Sequence, residues 1–387
     1  MLDAARVLSY YRQQTTEMVT LLEELVQRES PTVNKEAVDR ADDWLETELA
    51  VLPVEVERLA QSQTGDVLRV RRLADGEAQG RGVLLLTHID TVWPLGEIGR
   101  RPFKVEENRA TGPGCLDDKN GLVILLTMLR GLRDMEVQLH GPVVAVVNGD
   151  EEIGSPGSRE IIREEMGRSD YVLSLEPAQS DGCLVTSRKA LGRFKMTITG
   201  KAAHSGVAPE KGVSAIQELA EQVLELHALN DPGQGIMVNV GVVAGGERAN
   251  VVAARATAAI DLRAPSKAAG EAVARRISER KPHREGIRIE VTGGMTRPAF
   301  ERTAEVGRLF ELARMLGGKL GLDLREGGTG GGGDVSFASA LKKPALDGLA
   351  GVGAGGHSEE EYVLVNSLAE RAALLTLLVE HLANEGL

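Results

Sequence analysis

Val83-Leu84-Leu85-Leu86-Thr87-His88-Ile89-Asp90 is a run of four apolar residues that stops on a hydroxyl, an imidazole and a carboxylate. An unbroken apolar run of this length reads as a strand buried on both faces, which is the habit of parallel sheets. The same pattern recurs downstream. Residues 143–147 form a second apolar strand that runs into Asn148-Gly149-Asp150-Glu151-Glu152. A third, residues 171–175, runs into Glu176-Pro177. Helical spacing fills the intervals: Met18, Leu21, Leu22, Leu25 and Val26, then Ala37, Val38, Ala41, Trp44 and Leu45, then residues 121–132 and 158–166. Ser30-Pro31 closes the first of these helices. Strands alternating with helices predict an α/β layer around a largely parallel sheet.

Near residue 190 the period changes. Phe194, Met196 and Ile198 alternate with Arg193, Lys195, Thr197 and Thr199, which describes a strand with one wet face. A helix (213–229), strands (236–243 and 255–263), a second helix (268–280) and a last strand (287–292) follow. The order is βαββαβ, a ferredoxin-like unit. It is inserted into the α/β domain, giving an α/β domain at 1–185 and 297–387 and an inserted domain at 186–296.

In open α/β sheets ligands sit beyond the C-terminal ends of the strands. That is where the polar residues gather: His88 and Asp90, Glu151 and Glu152, and Glu176. Asp117-Asp118 precedes a helix, and His357 follows a Gly-rich stretch. Several carboxylates in one crevice repel one another and lose hydration, so some must protonate unless cations neutralise them. Two histidines and three or four carboxylates suit a pair of Zn²⁺ ions, with one carboxylate bridging. The scarcity of thiolates argues against a purely structural zinc site. Asp117-Asp118 also suits a helix N-cap, and Glu151-Glu152 alone reads equally as a solvated helix start. His140, His227, His283 and His381 read as surface or satisfied core residues.

The ordered set HIDTV (88–92), GPGCLDDK (112–119), NGDEEIGS (148–155), EPA (176–178), KAAHSG (201–206), RAN (248–250), DLR (261–263), GGGD (331–334) and GHSEEEYV (356–363) resembles the glutamate carboxypeptidase, acetylornithine deacetylase and succinyl-diaminopimelate desuccinylase family. These are di-zinc aminoacylase-type peptidases. The likeness spans nearly the whole chain. It implies a zinc-exopeptidase-type catalytic domain whose ferredoxin-like insert is a lid and dimerisation domain. It implies metal ligands at His88, Asp117 (bridging), Glu152, Glu176 and His357, with Asp90 orienting His88 and Glu151 as general base. His204 is expected to reach across a homodimer to the oxyanion. Asn250 and Arg263 are expected to hold the substrate carboxylate, with Arg297 and the Gly331 turn close by. A cis peptide after Asp117 is also implied. Two positions depart from the pattern: Asp118 where glutamate-releasing members often have Met, and Asn120 where Gly is usual.

The expected function is zinc-dependent hydrolysis of an amide bond that releases a C-terminal amino acid, glutamate, from a peptide or N-acyl conjugate. Co²⁺ or Mn²⁺ would serve as substitutes. An N-acyl-amino-acid deacylase or dipeptidase of the same family is the alternative. A catalytically silent, small-molecule-binding dimer is the alternative of a different class. The expected partner is a small molecule or short peptide with a free carboxylate. With 45 basic and 57 acidic side chains in 387 residues, the net charge of −12 disfavours nucleic acid. Two cysteines, Cys115 and Cys183, make no disulfide framework. The sequence has no signal pattern and no apolar run of the ~20 residues a membrane helix needs, so the cytoplasm is expected and no membrane association. Gly327 to Gly333 reads as a flexible turn; it lacks the Lys-Ser/Thr ending of a phosphate loop.

Overall fold

A computed structural model describes residues 2–76 and 80–387. The chain divides into two compact units. One comprises Met1–Ser187, Arg302–Thr329 and Gly333–Leu387; the other comprises Arg188–Glu301 and Gly330–Gly332.

The first unit is built on a six-stranded sheet in the order Glu55–Leu59, Val67–Arg72, Val143–Asn148, Val83–His88, Tyr171–Ser174, Ala345–Leu346. The last four are parallel. All six residues of Val83–His88 are buried, as an unbroken apolar strand requires. The two strands at the opposite end run antiparallel and were not foreseen from the sequence. Glu55, Glu57 and Arg58 give the outermost one a charged edge that discourages further pairing.

Three helices, Thr15–Gln27, Asn120–Asp134 and Val365–Asn384, pack together and contribute to one continuous core. Lys119 is fully enclosed just before the second of them. Its Nζ donates to Leu25 O and Arg28 O, both at 2.8 Å, and so ties the loop before Asn120–Asp134 to the C-terminal end of Thr15–Gln27. Burial pulls the Lys119 amine down to about 7.

A small sheet does more for the site than its size suggests. Its order is Gly353–Ala354, Tyr362–Leu364, Arg109–Thr111, Lys104–Glu106. The first two strands form a hairpin whose loop carries His357. The third pairs with that hairpin, Tyr362 opposite Thr111, and leads into residues 112–117. Strand pairing therefore delivers the His357 loop and the Asp117 loop to one place.

The Gly-rich stretch departs from the sequence expectation at its start. Glu326–Thr329 is a strand paired with Leu184–Arg188. Glycine is needed there for closeness: a Cβ on Gly328 would lie 2.5 Å from Ser187 Oγ.

The second unit has the order Ala190–Thr199, helix Ala215–His227, Met237–Gly245, Arg255–Ala264, helix Lys267–Ser278, Arg288–Arg297. Its strands lie antiparallel in the order Met237–Gly245, Arg255–Ala264, Ala190–Thr199, Arg288–Arg297, the ferredoxin-like arrangement. Phe194, Met196 and Ile198 enter its core with Leu219, Leu226, Val273 and Ile277. Among the described residues no helix is long and apolar enough to cross a membrane.

Candidate metal centre

His88 is the last residue of its strand and is 1 % exposed. Its Nδ1 lies 3.0 Å from Asp90 O and 3.3 Å from Asp90 Oδ1. Its Nε2 lies 3.1 Å from Asp117 Oδ1 and 3.9 Å from Glu176 Oε1. The other carboxylate oxygen of Asp117 faces a second imidazole: Oδ2 is 3.2 Å from His357 Nε2. That nitrogen is also 3.0 Å from Glu152 Oε2. The result is two donor groups, His88-Asp117-Glu176 and Asp117-Glu152-His357, each compact enough for one ion and sharing Asp117.

The donor chemistry fits a divalent cation. Each group offers one imidazole nitrogen and two carboxylates, the set that borderline cations take. Among the described residues no lysine or arginine pairs with Asp117 or Glu152. A third cluster, Glu218, Glu221 and His283 in the second unit, makes the contrast. There Arg284 already binds both glutamates, so the negative charge is answered without an ion. Neither thiol competes: Cys115 Sγ is buried and faces Ala110 O at 3.5 Å, and Cys183 Sγ faces Asp181.

Without a cation the protons are held by the histidines. Hydrogen bonds donated to Asp117 and Glu152 push His357 up to about 11. Burial opposes the charged form of His88, yet Asp117 and Asp90 raise it well above the usual histidine range. Burial likewise favours neutral Asp117, but His357 and His88 hold its carboxyl far below the ordinary value. Burial pushes Glu152 up to about 7 although His357 faces it. Of that pair His357 is the charged member at neutral pH, because it is half-exposed and faces two carboxylates.

Asp90 has a second task. Thr32 Oγ1 donates to its Oδ2 at 2.6 Å. The backbone N–H groups of Glu151 and Glu152 reach its Oδ1 and Oδ2 at 3.2 and 3.3 Å. One carboxylate thus orients the His88 ring and fixes the short 3₁₀ turn Glu151–Ile153 that follows Val143–Asn148. Glu151 is buried on that turn, and Glu152 points into the second donor group.

A buried network beneath the turn was not read from the sequence. Asn148 Nδ2 donates to Asp334 Oδ2 (3.0 Å) and Ser158 Oγ (3.1 Å), Ser155 Oγ to Asp334 Oδ1 (2.5 Å), and Gly157 N to Asp150 Oδ2 (2.6 Å). Glu361, in the stretch GHSEEEYV, has a role that the sequence does not disclose. It is 1 % exposed and accepts four hydrogen bonds, from Trp93 Nε1 and the backbone of Gly114, Leu116 and Asp117.

The Asp117-Asp118 peptide is cis. Asp118 belongs to neither donor group; its Oδ2 accepts from Thr87 Oγ1 at 2.6 Å. Burial pushes its carboxyl well above the usual range, against the pull of His88 and Thr87. Asn120 Oδ1 accepts from Gly351 N at 2.6 Å.

The remaining residues named from the sequence lie in the second unit. His204 is exposed, and its Nδ1 accepts from Gly206 N at 3.2 Å, which leaves Nε2 to carry the proton of the neutral ring. Asn250 is exposed; its carbonyl accepts from Ser205 N. Arg263 Nε donates to Asp261 Oδ2 at 2.8 Å and Nη1 to Gly330 O at 3.1 Å, so this guanidinium is already engaged. Arg297 is buried, and Gly331 is exposed in the Gly330–Gly332 segment. A Cβ on Gly332 would meet Leu191 Cδ1 at 2.5 Å.

The sequence model of Peptidase family M20/M25/M40 matches residues 84–381. The chain belongs to this family. It is a hydrolase of peptide bonds. Among curated relatives, carboxypeptidase G2 of Pseudomonas sp. (strain RS-16) is 33 % identical over 375 residues, covering 94 % of this chain and 88 % of that protein. Acetylornithine deacetylase of Proteus mirabilis (strain HI4320) is 27 % identical over 244 residues, covering 59 % and 60 %. The fold matches the crystal structure of aminopeptidase PepT from Bacillus cereus ATCC 10987 with a TM-score of 0.78 at 23 % identity, covering 96 % of this chain and 99 % of that one. The three relatives carry three different activities in their names, so the family fixes the kind of bond broken and leaves the substrate open.

Proposed function

We propose that this M20/M25/M40 peptidase is a two-zinc carboxypeptidase that releases a C-terminal amino acid, glutamate by preference, from a peptide or N-acyl conjugate. The observation that carries this reading is the shared carboxylate of Asp117 between His88 and His357. In this proposal His88, Asp117 and Glu176 hold one ion, and Asp117, Glu152 and His357 the other. When bound, the ions supply Lewis acidity at the scissile carbonyl and at the attacking water. Glu151 takes the proton from that water and passes it to the departing amine. His204 donates its Nε2 proton to the oxyanion. Asn250 and Arg263 recognise the substrate's terminal carboxylate, for which Arg263 exchanges its partner Asp261. These last roles rest on the motif resemblance, as does glutamate; the carboxypeptidase relative at 33 % identity supports the polarity of cleavage.

A panel of folate-type glutamate conjugates, N-acetyl amino acids and dipeptides, assayed with Zn²⁺ and Co²⁺, tests the substrate. Preference for a C-terminal glutamate is expected. Faster turnover of N-acetyl amino acids or of dipeptides would replace the carboxypeptidase reading with the deacylase or dipeptidase one.

A homodimer formed through the second unit is part of the proposal. Met237–Gly245 is an edge strand, and Met237, Val242 and Val243 on it are exposed. Unpaired edge groups beside apolar side chains invite a second copy. Sedimentation that shows only monomer at high concentration would remove this part.

Metal loading should release protons. His88 and His357 are protonated in the empty site, since both lie above the usual histidine range. Coordination needs neutral imidazoles and an ionised Glu152, which stands at about 7, so about two to three protons leave per chain at pH 7 and affinity rises with pH. Calorimetric titration of Zn²⁺ in buffers of different ionisation enthalpy reads the number directly. Heats that are equal in all buffers would contradict the protonated histidines.

A further inference from the structure

Asp117 sits on a loop, and something must hold that loop still. Glu361 Oε1 accepts from Leu116 N at 2.9 Å and Asp117 N at 3.1 Å; its Oε2 accepts from Gly114 N at 3.0 Å and Trp93 Nε1 at 2.9 Å. Each oxygen therefore has both lone-pair sites filled, which leaves no acceptor for a cation. Glu361 belongs to neither donor group that can hold an ion. The residue is anchored at its other end as well. It lies four residues after His357 and directly precedes strand Tyr362–Leu364. Its indole partner is clamped by Arg101, whose guanidinium carbon lies 3.9 Å from the Trp93 ring centre. Arg101 Nη1 reaches on to Ser358 O at 3.4 Å.

We propose that Glu361 is a positioning residue of the metal centre: its carboxylate gathers the backbone of residues 114–117 and the Trp93 indole, and so fixes Asp117 between His88 and His357. This inference rests on the reading of Asp117 as the shared metal ligand. Glu361 acts through the backbone that carries Asp117 and touches no reacting atom. It also ties the segment of one histidine ligand to the loop of the bridging carboxylate, so the two move together. Partners of this kind govern affinity and geometry at metal sites.

The test uses the full-length protein and Co²⁺, which reports affinity and ligand geometry through its visible spectrum. Glu361→Gln keeps one acceptor oxygen and turns the other into an amide that faces two donors. It is expected to weaken Co²⁺ binding about 10–100-fold and alter the spectrum. It should lower kcat while KM stays within about twofold, because the substrate contacts are untouched. Trp93→Phe removes a single donor and should weaken Co²⁺ at least about threefold. A folded Glu361→Gln protein with wild-type Co²⁺ affinity and spectrum overturns the inference. If Glu361→Gln does not fold, unchanged Co²⁺ affinity in Trp93→Phe overturns it instead. Asp117→Asn separates the two levels. Full Co²⁺ binding by that variant sinks the metal-centre reading itself; its loss, with normal binding in the other two, sinks the role of Glu361 alone.

Discussion

Glu151→Gln should abolish turnover and leave the metal complement untouched. The expected fall in kcat is about 10²–10⁴-fold, the usual worth of a positioned general base. The geometry explains why the two properties separate. The turn that carries Glu151 is fixed through its backbone, by Asp90 Oδ1 at 3.2 Å from Glu151 N and Asp90 Oδ2 at 3.3 Å from Glu152 N. Exchanging the side-chain carboxylate for an amide of the same shape leaves both bonds in place. It also leaves the two donor groups complete, because Glu151 is in neither. The capacity to take a proton is lost. Steady-state kinetics together with metal analysis on one preparation reads both properties. Activity within tenfold of the wild type would remove Glu151 as the base.

Asp117→Asn should have the opposite signature, with metal and activity lost together. Asp117 Oδ1 faces His88 and Oδ2 faces His357, at 3.1 and 3.2 Å. An amide presents an oxygen to one side only and turns N–H donors toward the other, where a cation would sit. It also brings one unit less negative charge to a site whose logic is charge neutralisation. Zinc content is expected to fall below one ion per chain. The rate should drop by about 10³-fold or more, equivalent to the several kcal/mol that such ions supply to the transition state. Metal analysis after dialysis and kcat/KM with Zn²⁺ in excess measure it. A variant that keeps both ions would show that the bridge lies elsewhere.

Much of this is legible in the sequence. Apolar strands ending in His88, Asn148 and the residues before Glu176 gave the sheet and the crevice, because a parallel strand announces its burial by lacking alternation. The alternation of Phe194, Met196 and Ile198 gave the inserted unit just as directly. What stayed hidden follows physical rules too. Glu359, Glu360 and Glu361 are identical side chains in a row, yet only the third is buried. That difference is made by Trp93, Gly114, Leu116 and Asp117, at least 244 residues away in sequence. Thr32, 58 residues from Asp90, and Asp334, 179 residues from Ser155, are likewise brought to the site only by the fold. The antiparallel strands Glu55–Leu59 and Val67–Arg72 escaped because charged residues interrupt them, as befits a sheet end. Arg263 looked like a free fork for a carboxylate; the neighbour that engages it, Asp261, was in plain view two residues earlier.

The first unit is discontinuous in the chain, and that sets a timetable for synthesis on the ribosome. Residues 188–301 emerge as one stretch and can fold as they appear. The first unit must wait. Its edge strand Ala345–Leu346, the imidazole of His357 and the buried helix Val365–Asn384 all come from the last part of the chain. Until that helix docks, the apolar face of Asn120–Asp134 stands open to water and to other nascent chains. The second donor group is correspondingly completed late: a product stalled before residue 357 carries the His88-Asp117-Glu176 group but lacks the imidazole of the other.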